Sequence, residues 1–259
     1  MSLIFFCVLL IGCYRIVSRY KRREGRMQQD AYQHLATEFD RWATHERTES
    51  MASGHCDVTI QMLDTLPSVQ WQTVVDVGCG NGWLLRELLR RGAQNAWGID
   101  ISPKMIECAQ QSIEFEDREQ YQVCNGEVLP FETGSIDCVL NIESLYYYPN
   151  PQAALNEWAR VVKKDGRLAI MMDLYEENPA THGWIDALDV PVQLFSQPRL
   201  KSMLEEAGWT QIRFQQIQDR RPIKSEKEFV QSRYWPSYDA YVRYRLTGSL
   251  CITAVRTGL

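Results

Sequence analysis

Asp76-Val77-Gly78-Cys79-Gly80-Asn81-Gly82 joins the β-type run Thr73-Val74-Val75-Asp76-Val77 to a leucine-rich stretch, Trp83 to Arg91, with leucines at 84, 85, 88 and 89. Three glycines at alternate positions let the backbone turn sharply and approach a ligand where a β-carbon would collide. The same turn aims the unpaired N–H groups of the following helix at whatever binds there, which suits a carboxylate. Twenty-four residues beyond Asp76, Gly98-Ile99-Asp100 ends a second β-type run, Ala96 to Ile101. A carboxylate there can accept hydrogen bonds from both hydroxyls of a ribose. Strand, glycine turn, helix, strand and acid in register point to an adenosine-containing cofactor.

The pattern repeats outward. A helix is expected from about Ser102, a plausible N-cap, and strands at Tyr121–Cys124, Ile136–Asn141, Arg167–Met172, Thr210–Gln218 and Leu250–Val255. Helices fit Gln152–Val162 and Gln197–Ala207. Short strands alternating with helices predict an α/β, Rossmann-like fold, a mostly parallel seven-stranded sheet with helices on both faces.

A dinucleotide is the competing ligand. Its fingerprint requires a small residue at position 83 once Gly78 and Gly80 are fixed. Trp83 stands there instead, and Asp76 precedes the first glycine by two residues, where it can meet an amino group. A cofactor with an amino-acid end fits better than one with a pyrophosphate.

The stretch resembles motif I of class I S-adenosylmethionine-dependent methyltransferases. The resemblance continues through Leu129-Pro130-Phe131, Gly134-Ser135-Ile136-Asp137 and Pro149-Asn150-Pro151, and is similar to methyltransferase domains of ubiquinone and menaquinone biosynthesis. It covers roughly residues 70–175 with specific motifs and the rest more loosely. It implies S-adenosylmethionine as cofactor, with the glycine turn (Gly78, Gly80, Gly82) and Asp76 on the methionine moiety and Asp100 on the ribose. Ile101 and Met105 would flank the adenine. Asn125 stands where the family usually has an acid for the adenine amino group, and an amide oxygen still accepts that bond. Gly126 and Asn141 complete the expected cofactor set.

The substrate is expected beyond the carboxyl ends of the strands. The fourth strand leads into Glu143-Ser144-Leu145-Tyr146-Tyr147-Tyr148, and the fifth into Asp173-Leu174-Tyr175-Glu176-Glu177-Asn178. Glu143, His182 and Asp173, in that order, are the candidate proton acceptors. Tyr146, Tyr147, Tyr175, Trp184, Trp42 and His55 are the candidate substrate contacts. Residues 176–196 read as a substrate lid, and residues 27–70, with Phe39-Asp40-Arg41-Trp42, as lid helices like those of a group of similar microbial methyltransferases. Residues 71–175 then form the cofactor-binding core and 197–259 the C-terminal strands and helices.

Composition narrows the partners. Apolar residues make up 45% and charged residues 24%, which suits a globular domain with a sizeable core. The net charge of −5 includes a local excess of basic groups in residues 1–26, leaving about −10 on the body, which disfavours nucleic acid as a substrate. The eight cysteines form no CxxC pair, and no His/Cys set has zinc spacing, so neither disulfides nor a metal is expected. Reduced thiols point to the cytoplasm. Leu3 to Tyr14 is an apolar run closed by a basic cluster, shorter than the about 20 residues a spanning helix needs. Three readings stay open: a membrane contact through residues 1–20 with the domain in the cytoplasm, a lipoprotein-like box at Leu10-Ile11-Gly12-Cys13, or translation starting at Met27. Nothing in the sequence bears on oligomeric state. A small-molecule methyltransferase is the leading reading; another adenosylmethionine-using transferase and a non-catalytic interaction protein with a retained pocket are the alternatives.

Overall fold

The computed structural model describes residues 29–66 and 71–258, the side chains of residues 45 and 46 excepted. The apolar run at the N-terminus lies outside the described residues. Within them, no helix is long and apolar enough to cross a membrane.

Two helices come first, α1 (29–42) and α2 (His45–Thr65). The alternating segment follows as β1 (Thr73–Val77), α3 (Trp83–Arg90), β2 (Asn95–Asp100), α4 (Pro103–Gln110), β3 (Glu119–Val123) and β4 (Ile136–Ile142). Then come α5 (Pro151–Val161), β5 (Val162–Met172), a short α6 (Trp184–Ala187), α7 (Gln197–Glu206), β6 (Trp209–Ile217), α8 (Tyr238–Thr247) and β7 (Ser249–Arg256). The seven strands form one sheet in the order β3-β2-β1-β4-β5-β7-β6. Neighbours from β3 to β5 are parallel, and β7 runs antiparallel between β5 and β6.

Period-two alternation sorts the central strands onto two cores. Val75, Val77, Val139, Leu168 and Ile170 face α5 and α7, where Trp158 and Leu200 are fully buried. Val74, Cys138, Leu140, Ala169 and Met171 face α2 and α3, meeting Val58, Met62, Leu84, Leu85 and Leu88. The four leucines of α3 are all buried, which is why that helix holds the glycine turn against the sheet. Ser102 caps α4 as its sequence suggests, its hydroxyl accepting from Met105 N at 3.0 Å.

The sheet order reverses between β1 and β4, and a crevice opens past the carboxyl ends of these strands. Helix α1 closes part of it. Leu35 and Trp42 pack with Met105 and Val190, and Asp40 accepts from Ser102 Oγ at 2.5 Å and Lys104 N at 3.1 Å.

Candidate active site

The glycine turn is built as its spacing suggests. Gly78, Gly80 and Gly82 all have left-handed backbone, with φ of 85°, 52° and 75°. Gly78 and Cys79 donate their N–H groups to Ile99 O at 2.7 and 3.1 Å, so β2 clamps the turn. A β-carbon on Gly80 would meet nothing within 4 Å, whereas one on Gly82 would overlap the Tyr121 ring. Gly80 is therefore the approach side for a ligand, and Gly82 is glycine for packing.

Two acids face this turn. Asp100 accepts from Gly80 N at 3.0 Å and Ser102 N at 2.9 Å, which joins the glycine turn to the start of α4. Burial pushes its carboxyl up to about 6 against the lowering effect of those N–H groups. Asp76 is buried, and its Oδ1 has no partner. Burial, helped by the charge of Asp100, pushes Asp76 up to about 8. An orphaned buried carboxylate is costly until a cation or a proton reaches it, so this position fits an ammonium group.

A cavity of 640 Å³ runs from the turn to α8, a volume in the usual range for ligand sites. At one end Asp76, Gly78, Gly80, Asp100, Ile101, Met105, Asn125 and Gly126 line it. At the other end stand Trp42, His55, Glu143, Tyr146, Tyr147 and Trp184.

Five expected site residues are placed elsewhere. Gly82 is turned to Tyr121, as above. Asn141 lies beneath the turn, where its Nδ2 donates to Val77 O at 2.7 Å and Ser144 Oγ at 2.5 Å. It braces the cofactor loop without reaching the cavity wall. Tyr175 is fully buried, its hydroxyl accepting from Gln216 Nε2 at 2.8 Å. His182 Nε2 lies 3.2 Å from Tyr175 O, so this ring braces a loop, and the residue is off the cavity wall. Asp173 is also off the wall, but it supports residues that are on it.

That support forms a cluster. His55 Nδ1 lies 3.6 Å from Asp173 Oδ2, and Tyr244 donates to the same oxygen at 2.7 Å. Tyr146 donates to Glu143 Oε2 at 2.7 Å, while Glu143 Oε1 and Asp173 Oδ1 are buried without partners. One nitrogen of His55 and one oxygen from each acid lie within 4.8 Å of one another, close enough to share a proton or a cation, a grouping their sequence spacing concealed. Burial and the charge of Asp173 push Glu143 up to about 8. Burial acts upward on Asp173 too, but contacts with His55, Ser249 and Tyr244 hold it below the usual carboxylate range. Glu143 also has φ of 53°, a conformation that costs a non-glycine residue energy and turns it out of the strand.

The C-terminal region supplies a wall that the sequence reading missed. Trp184 packs against Trp235 at 5.0 Å and Tyr244 at 5.5 Å between ring centroids, and Trp235 against Tyr244 at 4.5 Å. Tyr234, Tyr241 and Arg221 line the same side. Tyr238, Tyr241 and Tyr244 recur every three residues along α8, with Trp235 just before it, a pattern that could have been recognised.

Comparison with known proteins agrees with this geometry. The family described as "Methyltransferase domain" matches residues 75–170. The O-methyltransferase resE of Aspergillus sclerotiorum is 30% identical over 189 residues, which span 70% of this chain and 72% of that protein. A ubiquinone biosynthesis O-methyltransferase of Xanthomonas oryzae pv. oryzae is 30% identical over 56% of this chain and 61% of its own length. Among solved structures, a methyltransferase in complex with the Haloferax volcanii Trm112 methyltransferase activator has a TM-score of 0.78 at 30% identity, covering 85% of this chain and 98% of that one. With glycine turn, sheet order and relatives in agreement, this chain belongs to the class I S-adenosylmethionine-dependent methyltransferases, and it transfers the methyl group of that cofactor to a small-molecule acceptor.

Proposed function

We propose that the acceptor atom is the hydroxyl oxygen of a largely apolar small molecule seated between Glu143 and the Trp184–Trp235–Tyr244 wall. The observation that carries this reading is the continuity of the cavity from Asp76 and Gly80 to that aromatic wall, past buried groups able to take up a proton. The O-methyltransferases among the relatives support it.

The cofactor end follows from the same residues. The unpaired Asp76 carboxylate would receive the cofactor's ammonium group, the open face of Gly80 its carboxylate end, and Asp100 its ribose hydroxyls. Ile101 and Met105 would hold the adenine, with Asn125 and Gly126 at its edge. Asn125 Oδ1 already accepts from Glu127 N at 2.9 Å, which holds this loop in a tight turn beside the adenine position.

S-adenosylmethionine supplies an already activated methyl group. The protein's part is to hold the two centres in line and exclude water. Trp42 on α1 and Tyr147 after β4 form an edge-to-face pair at 6.2 Å that closes the cavity over the transferring group. As an acceptor oxygen forms its new bond to carbon, its hydroxyl proton must leave to a nearby base.

Incubation with methyl-labelled cofactor and a panel of phenols, aliphatic alcohols and amines tests the reading. Label on oxygen supports it, and label on nitrogen alone overturns it. The complex formed by the haloarchaeal neighbour makes a Trm112-type activator the protein to co-express in that assay.

A further inference from the structure

Helix α2 packs on the sheet through Val58 and Met62, and its middle turns also deliver a side chain to the cavity. His55 lines the cavity from its middle turns and points Nδ1 at Asp173, which is wholly buried at the end of β5. Building on the hydroxyl-acceptor reading, we propose that His55, oriented by Asp173, is the proton acceptor of the reaction, and that Asp219 and Arg221 position it by clasping α2.

In this proposal Asp173, 3.6 Å from Nδ1, keeps the ring proton on that nitrogen, which leaves the lone pair of Nε2 for a ligand. The acceptor oxygen's lone pair attacks the methyl carbon, the carbon–sulfur bond breaks with its electrons going to sulfur, and the hydroxyl proton passes to Nε2. The sulfonium becomes a neutral thioether and His55 becomes an imidazolium beside the Asp173 carboxylate. Glu143 is the poorer acceptor, because its Oε2 already takes the Tyr146 hydroxyl at 2.7 Å.

The clasp acts on the same turn of α2. Arg221 donates to Ser53 O at 2.6 Å and to Gly54 O at 2.7 Å, immediately before His55. Arg220 pairs with Asp57 at 2.8 Å, just after it. Asp219 holds Arg221, and Arg245 on α8 bonds Asp219 at 3.3 Å and Arg221 O at 2.6 Å. The segment after β6 thus grips both flanks of His55 and is itself fastened to α8.

The groups facing His55 are Asp173 from β5, Glu143 from β4 and Arg221 from the clasp, with Tyr244 of α8 donating to the same Asp173 oxygen. Burial lowers the imidazole and Arg221 adds to that, but the contact with Asp173 and the two acid charges outweigh them, so His55 titrates above its ordinary value. A base must be neutral to act, so the rate rises as pH passes through that raised value.

Two measurements test the assignment. Nitrogen–proton NMR correlations on the full chain, with His55 identified by comparison with His55→Gln, read the tautomer without turnover. The expected result is a ring protonated at Nδ1, with a pKa that falls in Asp173→Asn. A ring protonated at Nε2, or a titration indifferent to Asp173→Asn, overturns the proposal. Turnover of 2-naphthol, a planar apolar phenol, is the second readout. His55→Gln should keep its affinity for S-adenosylhomocysteine within about twofold and lose roughly 10²-fold or more in kcat along with the acidic limb of its pH profile. Added imidazole should restore part of the rate in His55→Ala. Arg221→Met should lose about tenfold in kcat and Arg221→Lys less, with the limb in place, as expected of misplacement. A rate in His55→Gln equal to wild type overturns the proposal, as does activity lost to a chelator and restored by a divalent cation. If the wild type methylates only amines, the hydroxyl reading fails by itself, and the NMR result still decides the role of the dyad.

Discussion

A β-carbon on Gly78 would stand 2.7 Å from the β-carbon of Ser144, because the turn after β1 is pressed onto the chain leaving β4. Ser144 also donates to Val77 O at 3.2 Å, so the cofactor turn and the substrate side of the cavity share one contact. Gly78 carries a positive φ as well. Gly78→Ala should therefore displace the turn, destabilise the protein by about 1–3 kcal/mol and abolish measurable cofactor binding. Calorimetry with S-adenosylhomocysteine and a melting curve check both effects. Wild-type affinity in the variant would remove the turn from the cofactor site.

Asp76 makes cofactor affinity depend on pH. Its carboxyl is pushed up to about 8 in the cofactor-free protein, by burial and by Asp100. An incoming ammonium group favours the anion, so binding below that value releases a proton. Affinity should rise with pH by up to about tenfold per unit and level off above about pH 8. Stability runs the other way. A carboxyl raised on folding binds more protons in the native state, so cofactor-free stability falls as pH rises from the ordinary carboxylate range to about 8. Asp76→Asn should flatten both profiles, as measured by calorimetry and by melting temperature across that range.

Asp100 has two tasks that two substitutions separate. Its oxygens hold Gly80 N and Ser102 N in addition to the ribose contact proposed for it. Asp100→Ala should weaken cofactor binding by roughly 1.5–3 kcal/mol, the scale of lost charge-assisted hydrogen bonds. Asp100→Asn retains an acceptor oxygen and should lose less. Equal losses in both would mean that the charge alone matters.

Trp235 is expected to act on the acceptor and not on the cofactor. It stands at the aromatic end of the cavity against Trp184 and Tyr244. It is only half-buried, so the fold should tolerate its truncation. Trp235→Ala should raise KM for an apolar acceptor by about tenfold, on the scale of a lost buried aromatic contact, with cofactor affinity nearly unchanged. Steady-state kinetics at saturating cofactor separate the two.

What could be read from the sequence and what could not divide along a physical line. Strand ends fall within two residues of those expected, except that β5 begins at Val162 and not at Arg167, because short apolar runs and the leucines of α3 are local signals. The glycine turn and Asp100 are likewise encoded within a single βαβ unit. By contrast, His55, Asp173 and Tyr244 meet only after α2, β5 and α8 have packed, and no short spacing reveals that. Being at the end of a strand says which end of the sheet a residue occupies, but not which way its side chain turns. Asn141 goes under the turn and Tyr175 into the core, while two residues beyond Asn141 a left-handed backbone at Glu143 swings that side chain to the cavity. His182 was singled out by its chemistry, and its ring is spent on a backbone carbonyl.

The most direct test of the account follows the methyl group itself. Purified protein given S-adenosylmethionine labelled in its methyl group should move the label onto the oxygen of apolar hydroxylated compounds in the small-molecule fraction. The product should lose that label under conditions that cleave ethers, and His55→Gln should make little of it. Tight binding of the cofactor with no transfer to any hydroxyl, or label appearing only on nitrogen, would contradict it.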